Sequence, residues 1–248
     1  MNGMTKPLIG ICTDHVRHFP VPGRDRSYLK LYPQYCHAVL AAGGIPVILP
    51  MLPDVNELRP LLALVRGVML VGADDYPADW YGKPVAPTDD PVTPERAAFD
   101  RAFIRLLIDE TSLPVFGVCG GMQLMAIHDG GSMLQDLPTA GLSGHKAPDK
   151  GASRHAIEVV SDSILAGATG GSTEVNSLHH QAVERVGKHQ RATAHAHDGV
   201  LEALEYTNHT WRMGVQWHPE RMLDDPRMVN LFRAFVLAAQ FPTSPASV

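Results

Sequence analysis

The residues of this chain best suited to covalent chemistry are a cysteine set among glycines and a histidine two positions before a glutamate. The cysteine stands in Gly117-Val118-Cys119-Gly120-Gly121-Met122-Gln123, after an apolar run and before a helical pattern. This is the G-x-C-x-G spacing of a nucleophile elbow, with cysteine in the serine position. A nucleophile on such a turn has strained backbone angles, and its neighbours must lack side chains to let the chains pass. The thiol then stands at a helix N-terminus, where free N–H groups and the helix dipole favour the attacking thiolate. The N–H of Gly120 can stabilise an oxyanion. A buried, inert structural cysteine in a glycine-rich turn fits the same local sequence. A dinucleotide site fits less well, because no G-x-G-x-x-G is present.

A cysteine nucleophile needs a base, and the base needs a group to orient it. The segment Met213-Gly214-Val215-Gln216-Trp217-His218-Pro219-Glu220 can supply both. On an extended segment, residues two apart share a face, so His218 and Glu220 are expected to point to one side. Glu220 would fix the imidazole tautomer and leave the other nitrogen for Cys119. His-Pro-Glu is also an ordinary structural turn, and it gains weight from the glycine-flanked cysteine on the same chain. An α/β-hydrolase would place its acid before its histidine, so the order Cys, His-x-Glu disfavours that fold.

The elements that must position these residues follow from periodicity. Apolar runs at Pro7–Cys12, Ile45–Leu49, Gly67–Val71 and Pro114–Val118 read as buried strands. Helical patterns lie between them: Tyr28–Ala42 ending at Gly43-Gly44, Asp54–Val65, and a helix capped by Thr93 with Pro94 running to Glu110. The alternation predicts an α/β fold with a mostly parallel central sheet flanked by helices. The second half predicts extra β-strands, at His155–Val160, Glu174–Val183, Arg191–His195, Val200–Tyr206 and Trp211–Trp217, before a closing helix at Asp225–Ala239. Ala73–Pro91 and Gly141–Arg154 read as loops and the tail from Phe241 as disordered. No internal repeat or linker interrupts the chain, so residues 1–248 read as one domain, ordered from about 7 to 240.

A net charge of −5, without a basic patch, argues against nucleic-acid binding. No run approaches the ~20 apolar residues of a membrane span, and no signal-peptide pattern opens the chain. The cysteines, Cys12, Cys36 and Cys119, form no CxxC pair, and a reducing cytoplasm is the expected compartment. His179 and His180 would face opposite ways on a strand, and His195 with His197 lacks a third ligand, so no metal is expected.

GVCGGMQ together with GVQWHPE resembles the class I glutamine amidotransferase superfamily, whose central layer is flavodoxin-like. LIGICTD, AVLAAGGIPVILP and VNSLHHQAV resemble its γ-glutamyl-γ-aminobutyrate hydrolase and related γ-glutamyl hydrolase branch. The resemblance spans about Pro7 to Phe235. It implies a Cys119-His218-Glu220 triad acting through a thioester. It implies an oxyanion hole built from Gly120 and the loop Gly72-Ala73, where relatives usually have two glycines. It assigns substrate contacts to Gln123 and to the segment His179-His180-Gln181. The implied partner is a small γ-glutamyl amide, polyamine-derived amides among the candidates, with no metal or organic cofactor required. A homodimer is the commonest assembly for such a chain. A glutaminase subunit passing ammonia to a synthase would use the same triad. A non-catalytic binding or regulatory protein on the same fold would usually lack part of it.

Overall fold

The computed structural model describes residues 5–18, 26–145, 153–208 and 211–241. The expected disordered tail beyond Phe241 and the middle of the expected loop 141–154 lie outside the described residues. From the N-terminus, β1 (Leu8–Cys12) is followed by a hairpin of β2 (Asp14–His18) and β3 (Arg26–Lys30), then α1 (Pro33–Ala41) and β4 (Ile45–Leu49). A 3-10 turn (Val55–Leu58) leads to α2 (Arg59–Leu64), β5 (Gly67–Leu70), α3 (Pro94–Asp109), β6 (Val115–Val118) and α4 (Gly120–His128). The second half holds β7 (Ser132–Leu134), β8 (Ser153–Val159), α5 (Ile164–Thr169), β9 (Thr173–Ser177) and β10 (Ala182–Arg185). It ends with β11 (Gln190–Ala196), β12 (Leu201–Tyr206), β13 (Arg212–Val215) and α6 (Pro226–Gln240).

Nine strands form one sheet in the order β4-β1-β5-β6-β13-β12-β11-β8-β9. The first five run parallel, and the remaining four continue the sheet antiparallel. The expected mostly parallel sheet with added strands is therefore present. Helices cover both faces. Alternate residues of β5 divide between them: Val68 and Leu70 pack with α2, α3 and α4, while Met69 and Val71 beyond it pack with α1 and α6. On the α6 face, Phe116 meets Phe232 edge-on at 5.4 Å between ring centres and Phe235 at 5.8 Å. Each fully buried Phe of this kind contributes about 1.5–3 kcal/mol.

Several expected boundaries shift, for local reasons. The helix expected from Tyr28 begins only at Pro33, a residue suited to the first turn; Tyr28–Lys30 instead pairs with β2. Asp54 does cap a helical segment, accepting from the Asn56 N–H at 2.9 Å, but its first turn is 3-10. The strand expected over Glu174–Val183 is two: β9 closes the edge of the main sheet, and β10 pairs with β7 in a separate ribbon. Thr93 caps α3 as expected, accepting from the Arg96 N–H at 3.2 Å, with Pro94 in the first turn.

Three central neighbours matter most for function. β5, β6 and β13 are parallel and adjacent, with Leu70 opposite Gly117 and Val118 opposite Val215. Their C-terminal ends therefore release Val71–Ala73, Cys119 and Gln216–Glu220 at one edge of the sheet. That edge is where open parallel sheets bind ligands.

Candidate active site

Cys119 is the only non-glycine residue with positive φ among the described residues, at φ 52° and ψ −110°. Its N–H donates to the Val215 carbonyl at 2.8 Å, which ties the turn to β13. It forms the N-cap of α4. The glycines around it are demanded by close approach: a Cβ on Gly121 would lie 2.4 Å from the Leu70 carbonyl oxygen, and one on Gly120 2.5 Å from the Ala73 nitrogen. A non-glycine residue in this backbone region costs on the order of 1–3 kcal/mol, so the surrounding packing must hold it there.

His218 and Glu220 meet this turn from β13. The His218 Nδ1–H donates to Glu220 Oε1 at 2.7 Å, and the Cys119 sulfur lies within hydrogen-bonding reach of the imidazole. Burial works against the imidazolium, but the Cys119 sulfur and the Glu220 carboxylate outweigh it and push the His218 pKa up. The pair is not aligned by strand alternation, as the sequence suggested. β13 ends at Val215, and Pro219–Arg221 is a 3-10 turn that folds the carboxylate back onto the ring. Asn176, at the end of β9, grips the histidine from behind. Its Oδ1 accepts from the His218 N–H, and its Nδ2 donates to the His218 carbonyl, both at 2.8 Å.

Gly120 begins α4, so its N–H has no intrahelical acceptor. The Ala73 nitrogen lies close beside Gly120, 2.5 Å from where a Cβ on that glycine would stand. Ala73 reaches this position without positive φ, so replacing the usual second glycine carries no backbone penalty here. Gly72 departs from the expected oxyanion role: its N–H donates to the Tyr35 hydroxyl at 3.1 Å. A cavity of about 170 Å³ opens in front of Cys119 and His218. Ala73, Asp74, Asp14 and Leu178 form part of its wall, and Lys30 and Arg221 lie at its rim. Both cations also face the Tyr32 ring, at 5.1 and 5.6 Å from its centre. Burial, reinforced by the Asp90 and Asp14 charges, raises the Asp74 pKa.

The profile of the peptidase C26 family matches residues 7–220. The chain belongs to the peptidase C26 family. It lies within the class I glutamine amidotransferase-like superfamily. It is 34% identical over 239 residues to a Mycobacterium tuberculosis protein provisionally named a glutamine amidotransferase, covering 96% of this chain and 76% of that one. It is 29% identical over 258 residues to the γ-glutamyl-γ-aminobutyrate hydrolase PuuD of Escherichia coli, covering 96% of each. Among solved structures, a Thermoplasma acidophilum protein provisionally described as a GMP synthase component shares the fold, with a TM-score of 0.62 and 95% of each chain covered. At 16% identity, that likeness speaks for the fold alone.

The amidotransferase resemblance implied substrate contacts at Gln123 and along the backbone of His179-His180-Gln181, and the side chains there are engaged within the protein. Gln123 is buried. Its amide donates to Gln216 Oε1 and to the Gln181 carbonyl, each at 3.3 Å. Gln216 in turn donates to the Cys119 sulfur at 3.5 Å. Gln123 thus supports the neighbour of the thiol and does not face the cavity. The His179 ring turns inward, with Nδ1 bonded to the Gln181 carbonyl at 2.9 Å. His180 bridges Asp136 and Asp75 at 3.2 and 3.1 Å, and Gln181 reaches Asp89 at 3.5 Å. From this segment, it is Leu178 that lines the cavity. Sequence reasoning missed Asn176, Gln216, Tyr35 and the rim residues Lys30 and Arg221. Asn176 and Gln216 stood inside the motifs VNSLHHQAV and GVQWHPE. Lys30 lay at the end of an unrecognised hairpin and gave no local signal. Among the described residues, no helix is long and apolar enough to cross a membrane.

Proposed function

We propose that this C26 chain hydrolyses γ-glutamyl amides to glutamate and an amine through a γ-glutamyl thioester on Cys119. The observation carrying this reading is the convergence of Cys119, the His218–Glu220 pair and two backbone N–H groups at the mouth of one cavity. Membership of a hydrolase and amidotransferase family and the likeness to PuuD support the same reading.

Sγ of Cys119 attacks the γ-carbonyl carbon, and the carbonyl electron pair moves to oxygen. The N–H groups of Gly120 and Ala73 hold that oxyanion. His218 gives its proton to the leaving nitrogen as the C–N bond breaks, leaving a thioester. Water then attacks, His218 accepts its proton, and the C–S bond breaks to release glutamate. Glu220 keeps Nδ1 protonated, so the opposite nitrogen carries both transfers. The head of a γ-glutamyl substrate bears an ammonium and a carboxylate. Asp74 and Asp14 suit the first, and Arg221 and Lys30 suit the second.

The test is a hydrolysis screen over γ-glutamyl amines, γ-glutamyl-γ-aminobutyrate and glutamine, reading released glutamate. Turnover of one or more γ-glutamyl amines, lost in Cys119→Ala, is expected. Activity on glutamine alone would favour an ammonia-supplying role. Failure to turn over any γ-glutamyl compound would overturn the reading.

A further inference from the structure

Away from Cys119, a second group of titratable side chains is buried where the antiparallel strands meet the segment that carries His145. His155 lies on β8, His179 just after β9 and Glu202 on β12. Glu202 is fully buried, and the side chains of His145, His155 and His179 are 4, 8 and 2% exposed. Three ring nitrogens converge on one carboxylate oxygen, Glu202 Oε1: His155 Nε2 at 3.0 Å, His145 Nδ1 at 3.5 Å and His179 Nε2 at 3.6 Å.

These contacts have nearly the length of hydrogen bonds but not their direction. Both Glu202 oxygens, His179 Nε2 and both His155 nitrogens have no hydrogen-bond partner among the described residues. Leaving one buried polar group unsatisfied costs about 1–3 kcal/mol, and charged groups cost more. A cation held between Glu202 Oε1 and the ring nitrogens would satisfy the atoms of this group that face one another.

The outer contacts fix the tautomers. The Gln181 carbonyl can only accept, so His179 Nδ1 carries the hydrogen and Nε2 presents its lone pair to Glu202. Asp198 accepts from His145 Nε2 at 3.0 Å, which leaves the Nδ1 lone pair facing inward. The Ser177 hydroxyl is 3.4 Å from that Nδ1, but its hydrogen goes to the His145 carbonyl at 2.8 Å. Neutral His145 and His179 rings would therefore aim two lone pairs at a carboxylate, an arrangement that is repulsive without a cation between them. One proton could relieve one contact only. Ligands at bonds of about 2.0–2.1 Å in a tetrahedron stand about 3.3 Å apart; one ligand atom each from His145, His179 and Glu202 lies within 4.8 Å of the other two.

We infer that His145, His179 and Glu202 form a binding site for a divalent transition-metal ion of the zinc class, with His155 packed against the carboxylate. Two imidazoles and one carboxylate suit Zn²⁺. Asp198 and the Gln181 carbonyl orient the ligating rings from outside, as outer partners do in histidine metal sites. The divalent charge is balanced by Glu202 and Asp198. These three protein ligands are buried, and the site stands apart from the Cys119 chemistry. The ion would join β12, the loop at His145 and the segment bearing Leu178, which walls the cavity.

The test uses the untagged full chain, both wild type and Cys119→Ala, so that metal held by the thiol is not counted. Chelator-treated protein is titrated with Zn²⁺ and, separately, Co²⁺, with metal content read by mass spectrometry. One equivalent of Zn²⁺ per chain is expected in both proteins. Metal loss should lower the melting temperature by about 5 °C or more, and Co²⁺ should give the intense visible bands of a four-coordinate centre. His179→Ala and Glu202→Gln should lose the metal while keeping their far-ultraviolet circular dichroism. If either variant fails to fold, the wild-type Co²⁺ spectrum and stoichiometry decide. Sub-stoichiometric uptake, Co²⁺ bands of an octahedral aquo-like site, or full binding by both folded variants would overturn the proposal. The cluster would then be a proton-sharing group.

Discussion

The molecule holds two buried groups in which imidazole meets carboxylate, and they are built on opposite principles. In one, His218 and Glu220 lie two residues apart and meet along a hydrogen bond of 2.7 Å. In the other, His145, His155 and His179 surround Glu202 from distant places in the chain, with no aligned hydrogen bond between His155 or His179 and the carboxylate. An aligned pair holds a proton and orients a ring for transfer. Converging lone pairs hold a cation. The direction of the N–O approach, more than its length, separates a proton-transfer pair from a ligand set. Location agrees: the first group opens on a cavity beside a strained cysteine, and the second is closed.

Substitutions can break this contrast, beginning with the largest effect. Cys119→Ala should lower kcat by about 10⁴-fold or more, with the fold retained by circular dichroism. Glu220→Gln should lower kcat by about 10²–10⁴-fold, because an amide can hold the wrong tautomer. Asn176→Ala removes both grips on the His218 backbone. It should lower kcat by about 10–10²-fold, with KM changing less; an equal rise in KM at constant kcat would instead place Asn176 in substrate binding. In the second group, Glu202→Gln should cost about 3 kcal/mol of stability by denaturant titration, while the folded fraction keeps a kcat within a few-fold of wild type. A collapse of kcat matching that of Glu220→Gln would erase the distinction between the two groups.

The smallest effect is on titration. The sulfur and Glu220 raise the His218 pKa against burial. Because the folded value lies above the unfolded one, the stability this contributes is complete below about pH 6.5 and fades as pH climbs through the raised value. In Cys119→Ala the sulfur's share is gone and burial still opposes the charge, so the His218 midpoint should move down. Nuclear magnetic resonance of the ring checks this, and an unmoved midpoint would break the coupling between the two side chains.

Much of the first group was legible in the sequence, because its signals are local. Glycines flank Cys119 since a Cβ has no room beside Leu70 and Ala73, and Glu220 lies within one turn of His218. Periodicity also located the parallel strands that carry them. Strand alternation nonetheless gave the wrong reason for the His218–Glu220 meeting, which a 3-10 turn produces. The hairpin bringing Asp14 and Lys30 to the cavity was hidden by helical spacing around Tyr28. The second group was illegible. Its ligands stand at 145, 179 and 202, and only the antiparallel pairing of β8, β9, β11 and β12 gathers them. A spacing test for metal ligands therefore found only the pairs at 179–180 and 195–197.

The most direct test of the acyl-transfer account is the intact mass of the protein quenched during turnover of a γ-glutamyl amide. The account predicts a γ-glutamyl adduct that maps to Cys119, forms as the amine is released, and decays as glutamate accumulates. Turnover that proceeds with no adduct at Cys119, or that survives Cys119→Ala, would contradict it.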